Sequence, residues 1–201
     1  MAVNLQKGQK VDLTKGNAGL KNIMVGLGWD ESGASGGKKS FFEKLKATPA
    51  IDCDASVFVC DANGKLSGTK DVVYFGNLRH SSGSIMHQGD NLTGAGDGDD
   101  EQILINLANV PSNFEKLVFV VNIYDCKKRN QDFGMIENAF IRLVDADKNE
   151  ELYRYNLSEN YQGMTAMIFG EIYRYKGEWK FTATGQGTND AGLNELAKRY
   201  A

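Results

Sequence analysis

From Ile51 to Cys60 the chain alternates apolar and polar side chains. Ile51, Cys53, Ala55, Val57 and Val59 fall on one face, and Asp52, Asp54 and Ser56 on the other. A period of two fits a strand with one face in a core and cannot lie along one side of a helix. Comparable short runs recur at 22–27, 72–75, 84–87, 102–107, 136–144, 152–156, 164–175 and 178–184. The run 116–124 is apolar on both faces, as a central strand should be. Residues 4–13, with Gly8 near the middle, read as a short edge hairpin. Asn63-Gly64, Asp147-Lys148-Asn149 and Lys176-Gly177 carry turn chemistry. No regular strand-then-helix alternation occurs, which excludes a Rossmann-type sheet. About ten strands joined by such turns predict a mostly β, two-layer β-sandwich. A short C-terminal helix is expected over 191–200, with Leu193, Leu196, Ala197 and Tyr200 as its apolar stripe and Asn189 or Asp190 as its cap. The length predicts one domain over residues 1–201.

Charge is unevenly distributed. The formal net charge is only −3, which argues against nucleic acid as the partner. Between Arg79 and Lys116 there is no Lys or Arg, whereas Asp90, Asp97, Asp99, Asp100, Glu101 and Glu115 lie there. Such a block must be solvated or neutralised by a cation. Cys53, Cys60 and Cys126 form no Cys-x-x-Cys pair and no disulfide framework, which fits a reducing, cytoplasmic setting. Cys53 belongs to the core face of its strand and Cys60 to the opposite face. The N-terminal residues show no signal-peptide pattern, and the apolar runs are too short to span a bilayer.

The acidic block centres on Gly89-Asp90-Asn91-Leu92-Thr93-Gly94-Ala95-Gly96-Asp97-Gly98-Asp99-Asp100-Glu101. Calcium takes six to eight oxygens in a tolerant geometry. Carboxylates, an Asn carbonyl, a Thr hydroxyl and glycine-rich backbone supply that chemistry, and the segment holds no cationic side chain to compete. It is not an EF-hand, because Leu92 and Gly94 stand where that loop needs ligands and Ala95 where it needs glycine. Asp52 and Asp54 share the polar face of their strand and are candidates to complete a shell. Asp30, after Gly28-Trp29, is another. Magnesium, with its strict octahedral demand, fits a crowded carboxylate loop less well.

The same segments carry a family resemblance. They are Val25-Gly26-Leu27-Gly28-Trp29-Asp30, Ile51-Asp52-Cys53-Asp54-Ala55-Ser56, His87-Gln88-Gly89-Asp90-Asn91-Leu92-Thr93-Gly94 and Gly96-Asp97-Gly98-Asp99-Asp100-Glu101. Further along are Phe133-Gly134, Asn138-Ala139-Phe140-Ile141-Arg142, Ala166-Met167-Ile168-Phe169-Gly170-Glu171 and Gly177-Glu178-Trp179-Lys180-Phe181. In this order they resemble the TerD family of tellurium-resistance and stress-response proteins. The resemblance implies a cytoplasmic, calcium-binding β-sandwich without enzyme activity. It implies a role in resistance to tellurite, phage and pore-forming colicins. It also implies partners among other proteins of the tellurium-resistance system, with peripheral association at the inner membrane and no nucleic acid. Carried onto this chain, the implied calcium ligands are Asp30, Asp52, Asp54, Asp90, Asn91, Thr93, Asp97, Asp99, Asp100 and Glu101. The segment 33–49, including Phe41-Phe42-Glu43-Lys44-Leu45-Lys46, is longer than the family pattern suggests, which points to a paralogue with an altered surface beside the site.

Other chemistry is weaker. His80 or His87 with Ser82 or Ser84 and an Asp would make a hydrolase, and a metal-assisted hydrolase using the acidic site is the alternative function. No nucleophile-elbow pattern surrounds either serine. His87 is expected to shape the acidic loop by hydrogen bonding. Two histidines and three scattered cysteines lack zinc spacing. Lys127-Lys128-Arg129 reads as a solvated loop. The triplets beginning at Tyr153 and Tyr173 read as alternation in paired strands.

Overall fold

The computed structural model describes residues 2–17, 19–31, 50–89 and 98–201. Among them two six-stranded sheets face each other. The first sheet contains β1 (Val3–Asn4), β3 (Asn22–Glu31), β6 (Ile85–His87), β7 (Glu101–Asn106), β9 (Ile136–Asp145) and β10 (Glu150–Asn156), in the order β1-β10-β9-β3-β7-β6. The second contains β2 (Lys10–Asp12), β4 (Cys53–Cys60), β5 (Val72–Val73), β8 (Lys116–Ile123), β11 (Ala166–Tyr175) and β12 (Glu178–Thr188), in the order β2-β12-β11-β8-β4-β5. Side chains of alternate parity meet between the sheets. Ile23, Val25 and Leu27 face Val57, Phe119, Met167 and Phe169 in one continuous core. The sandwich with a short C-terminal helix is therefore present.

Three sequence expectations change. Residues 4–13 do not form a hairpin. β1 pairs in parallel with β10, and β2 pairs antiparallel with β12 in the other sheet. Gly8 does occupy a turn with φ +78°, but two strands this short are directed by the sheets they join, so the segment straps the two edges together. The second change concerns the outer face of β4. Ser56 is fully buried there, beside Phe58 and Cys60. α1 (Leu193–Ala197) and the following turn lay Leu193, Leu196, Ala197 and Tyr200 over this face, so the expected stripe is real and its target is the side expected to be polar. Gly192 is the N-cap, and neither Asn189 nor Asp190 caps the helix. Asp190 instead accepts from Arg199 Nε at 2.6 Å and Thr188 Oγ1 at 2.7 Å. Third, the Tyr153 and Tyr173 triplets sit on β10 and β11, in different sheets, so they are not paired. The residues 32–49, which hold the longer segment noted in the sequence, lie outside the described residues.

Candidate functional site

One end of the sandwich gathers the acidic residues. There β3 ends at Glu31, β4 starts at Cys53, β7 starts at Glu101 and β8 ends at Ile123. Antiparallel pairing places these termini together: Leu27 pairs with Glu101, Asp30 with Glu137, and Cys53 with Ile123. Cys53, deep in the core, reports the field there. Burial pushes its thiol up first, and the charges of Asp54, Asp52, Glu101 and Asp100 push it further. The two acidic groups thus flank one buried point from opposite sheets.

Their detailed placements differ. Glu101 belongs to β7 and shares parity with Ile103 and Ile105, so its side chain points between the sheets. Its Oε2 accepts from the Ala55 amide at 2.5 Å. β5 covers β4 only at Val57 and Phe58, which leaves Ala55 at an uncovered edge. Gly89 N–H donates to His87 Nδ1 at 3.0 Å, so the ring proton sits on Nε2. That Nε2 faces the Ala55 carbonyl at 3.3 Å and Glu101 Oε2 at 3.4 Å. Together Glu101 and His87 satisfy both backbone groups of Ala55 and tie the stem of the acidic loop to the other sheet. The loop-shaping role expected of His87 is present in the Gly89 bond.

Asp99 points the other way, over the outer face of the first sheet. Its carboxylate takes Arg142 Nε at 2.6 Å and NH2 at 2.9 Å, a bidentate pair, and Gln102 Nε2 at 3.0 Å. Arg142 NH1 reaches Glu151 at 3.0 Å. The Asp99 side chain is fully buried and that of Arg142 is 26% exposed. Gly26 makes this possible, because a Cβ there would fall inside the Asp99 carboxylate. A Cβ on Gly28 would enter the Phe140 ring. The acidic loop carries no counter-charge of its own, and Arg142 of β9 supplies one from a distant part of the chain.

Asp100 and Asp30 are the described carboxylates brought together without a cation. Asp100 Oδ2 accepts from the Trp29 amide at 2.7 Å. Burial pushes the Asp100 carboxyl above its usual range, the Trp29 amide opposes this, and the charges of Asp30 and Asp99 add to it. Asp30 accepts from Asn138 Nδ2 at 2.8 Å. Asn138 itself has φ +54°, a conformation Asn tolerates better than most residues. Both carboxylates line a polar cavity of about 630 Å³ that also includes Asn138, Phe140, Arg142 and Arg154. Arg154 lies flat over Phe140, 3.7 Å from the ring centre.

Asp52 and Asp54 lie on the other sheet. Asp52 is exposed, 3.7 Å from Arg129. Asp54 lines a separate cavity beside Asn122. Asp90, Asn91, Thr93 and Asp97 lie outside the described residues. Among the described residues, no group of three or more His, Cys, Asp or Glu side chains converges as a metal site. Asp30 and Asp100 each accept one hydrogen bond, from Asn138 and from the Trp29 amide, and have no Lys or Arg ion pair among the described residues, whereas Asp99 pairs with Arg142 and Glu101 takes the Ala55 amide.

The serine–histidine idea also takes shape, and it is a turn. His80 Nδ1 meets Ser82 Oγ at 2.7 Å and the Ser82 amide at 3.2 Å, Nε2 meets Asp71 at 3.3 Å, and Ser82 Oγ meets Ser84 Oγ at 2.7 Å. His80 and Asp71 are buried, and the imidazole packs edge-on to Phe114. The network locks residues 80–84 against the core. Among the described residues, no helix is long and apolar enough to cross a membrane.

Sequence reasoning quoted Arg142, Asn138, Gly26 and Gly28 within the resembling segments but gave them no role at the site. A signal for the first was available: Arg142 is the one charged residue in Ala139-Phe140-Ile141-Arg142-Leu143-Val144.

Comparison with known proteins agrees with this architecture. The TerD domain model matches residues 1–200. A stress response protein, SCP2, from Bacillus subtilis (strain 168) is 57% identical over 202 residues, covering 100% of both chains. Tellurium resistance protein TerD from Serratia marcescens is 47% identical over 200 residues, covering 100% of this chain and 97% of its own. Among solved structures, a homologue of telluride resistance protein (TerD) from Streptomyces coelicolor superposes with a TM-score of 0.62. It is 21% identical and covers 86% of this chain and 92% of its own, a likeness of fold.

Proposed function

The chain belongs to the TerD family of stress-response and tellurium-resistance proteins, and from that premise we propose that it is a calcium-binding, non-enzymatic module acting in the cytoplasm through protein–protein assembly. The observation that carries this reading is the Asp30–Asp100 pair, a half-buried carboxyl held above its usual range beside a second carboxylate. Among the described residues neither has a Lys or Arg partner. A divalent cation would neutralise both and satisfy oxygens that the fold leaves at the cavity wall. Asp52 and Asp54 flank the same end on the opposite sheet and are the second candidate pair. Asp99 and Glu101 position the loop from either side of the first sheet. Loading would then order this face for partners of the tellurium-resistance system, with peripheral contact at the inner membrane as a further mode.

Calorimetric titration of the metal-stripped chain tests this. Calcium should bind saturably, and excess magnesium should compete poorly. Asp30→Asn and Asp100→Asn should each weaken calcium by about tenfold or more. The metal-free Asp100→Asn protein should be as stable as the parent or more so, because the substitution removes a charge that burial disfavours. Absence of any heat or thermal shift up to millimolar calcium would remove the central claim.

The second reading, a metal-assisted hydrolase, is favoured by one observation: the carboxylate pair opens onto a concave polar cavity. Calcium- or manganese-dependent cleavage of a phosphodiester such as bis-(p-nitrophenyl) phosphate, lost in Asp100→Asn, would support it.

A further inference from the structure

We propose that a second cavity, on the outer face of the second sheet beside α1, binds a primary alkylammonium group. It shares no residue with the Asp30–Asp100 pair and shares Asp54 with the second candidate pair. The cavity has a volume of about 530 Å³, within the size range of small-molecule sites. Its floor includes Asp54 of β4 and its cross-strand partner Asn122 of β8. Its walls are Tyr74, Phe75, Tyr124 and Leu193.

Three features point to a cation with an apolar stem. First, among the described residues the lining includes Asp54, Asp125 and Glu195 but no Lys, Arg or His. Of these, Glu195 accepts the Ala191 amide at 2.8 Å, and Asp125 has only a distant partner, Lys128 at 3.8 Å. Second, the floor holds a buried acceptor that has no donor among the described residues. Asn122 is 5% exposed and its Oδ1 is unpartnered. Ser56, its diagonal neighbour on the same face, is fully buried and its Oγ is unpartnered as well. Buried acceptors left without donors are costly and call for a partner. Third, the rim is aromatic. Phe75 is 53% exposed and Tyr124 48%, and the Tyr74 and Phe75 rings meet edge to face at 5.3 Å.

These features decide between classes of cation. A hard metal ion wants six to eight converging oxygens, and among the described residues no three acidic, His or Cys side chains converge here. An ammonium group is satisfied by carboxylate, amide oxygen and ring faces together. The protein shows the same preference at the adjoining rim. Arg129 lies 5.1 Å from the Tyr124 ring centre and 3.7 Å from Asp52. The ammonium can come from a free diamine or from a lysine of a partner chain, and one chemistry serves both.

Calorimetry on the full chain with cadaverine in one arm and an N-acetyl-lysine amide in the other tests the site. Saturable binding in either arm supports the proposal, and the arm that binds identifies the source. Phe75→Ala and Asp125→Asn should each weaken binding by about 3- to 10-fold. Both positions tolerate the change: Phe75 is half exposed, and Asn suits the left-handed backbone of Asp125, φ 51°. Asn122→Leu should abolish binding while the melting temperature holds or rises, since it replaces an unpartnered polar group with an apolar one of similar size. The proposal is overturned if neither probe binds at about 10 mM, if neutral pentanol binds as tightly as the amine, or if the variants bind like the parent.

Discussion

Replacing Arg142 with Leu should destabilise the protein by about 3 kcal/mol, the lower end of what removing one partner of a buried ion pair costs. The reason is an asymmetry in burial. Asp99 has no exposed side-chain surface, whereas Arg142 is 26% exposed and has a second partner in Glu151. Arg142→Leu strands a buried carboxylate with only Gln102 as donor. Asp99→Asn keeps the shape and leaves Arg142 in contact with Glu151 and water. It should therefore cost less, about 1 kcal/mol. The double variant Arg142→Leu/Asp99→Leu should recover much of the loss, because neither charge is then buried alone. In a chain of this size about 3 kcal/mol corresponds to a fall of roughly 6–12 °C in Tm. Thermal and urea unfolding of the metal-free variants measures it. An Asp99→Asn loss equal to that of Arg142→Leu would show that the pair is not organised by Asp99 burial. Gly26→Ala offers an orthogonal check. Its Cβ meets the Asp99 carboxylate, so it should cost about 1–3 kcal/mol, and much less when Asp99 is already Ala.

Much of this fold was legible in the sequence because strands announce themselves by alternation. The inner face of β4 carries Cys53, Ala55, Val57 and Val59 in the core as expected. The outer face was misread, since Ser56 looks polar in sequence and is buried by a helix more than a hundred residues away. Alternation reports which residues share a face, not what covers that face. The N-terminal strap failed for a related reason. Two- and three-residue strands carry too little pattern to specify a partner, and the partners lie in different sheets. The acidic segment shows the limit of composition. Asp99, Asp100 and Glu101 look interchangeable as oxygen donors, yet one pairs with Arg142, one caps the Trp29 amide and one crosses the core. Parity could have separated Glu101, which continues the inward register of Ile103 and Ile105. Nothing local could have paired Asp99 with Arg142, because that contact depends on β9 lying next to β3, whose Gly26 has no side chain.

Glu101→Ala should cost about 2–3 kcal/mol and selectively expose one amide. The substitution leaves the Ala55 N–H without its carboxylate acceptor at an edge that β5 does not reach. An unmet buried donor costs about 1–3 kcal/mol, and a charged acceptor lies toward the upper part of that range. Glu101→Gln separates charge from shape. Its carbonyl can still accept from Ala55, but its amide would add donors beside His87 Nε2–H, which now faces Glu101 Oε2 at 3.4 Å. The expected loss is about 1–2 kcal/mol. Native-state hydrogen exchange resolves the local effect from the global one. In the parent, Ala55 should exchange at a rate set by opening of the core. In Glu101→Ala it should exchange faster by about 30-fold or more beyond the change at Phe119, as 1.4 kcal/mol is a factor of ten. Equal acceleration at Ala55 and Phe119 would mean that Glu101 contributes only general stability. A selective effect would mean that the acidic loop and the second sheet are mechanically joined through Glu101 and His87. Calcium at Asp30 and Asp100 would then slow exchange at Ala55 in the parent, and lose that reach in Glu101→Ala while still binding.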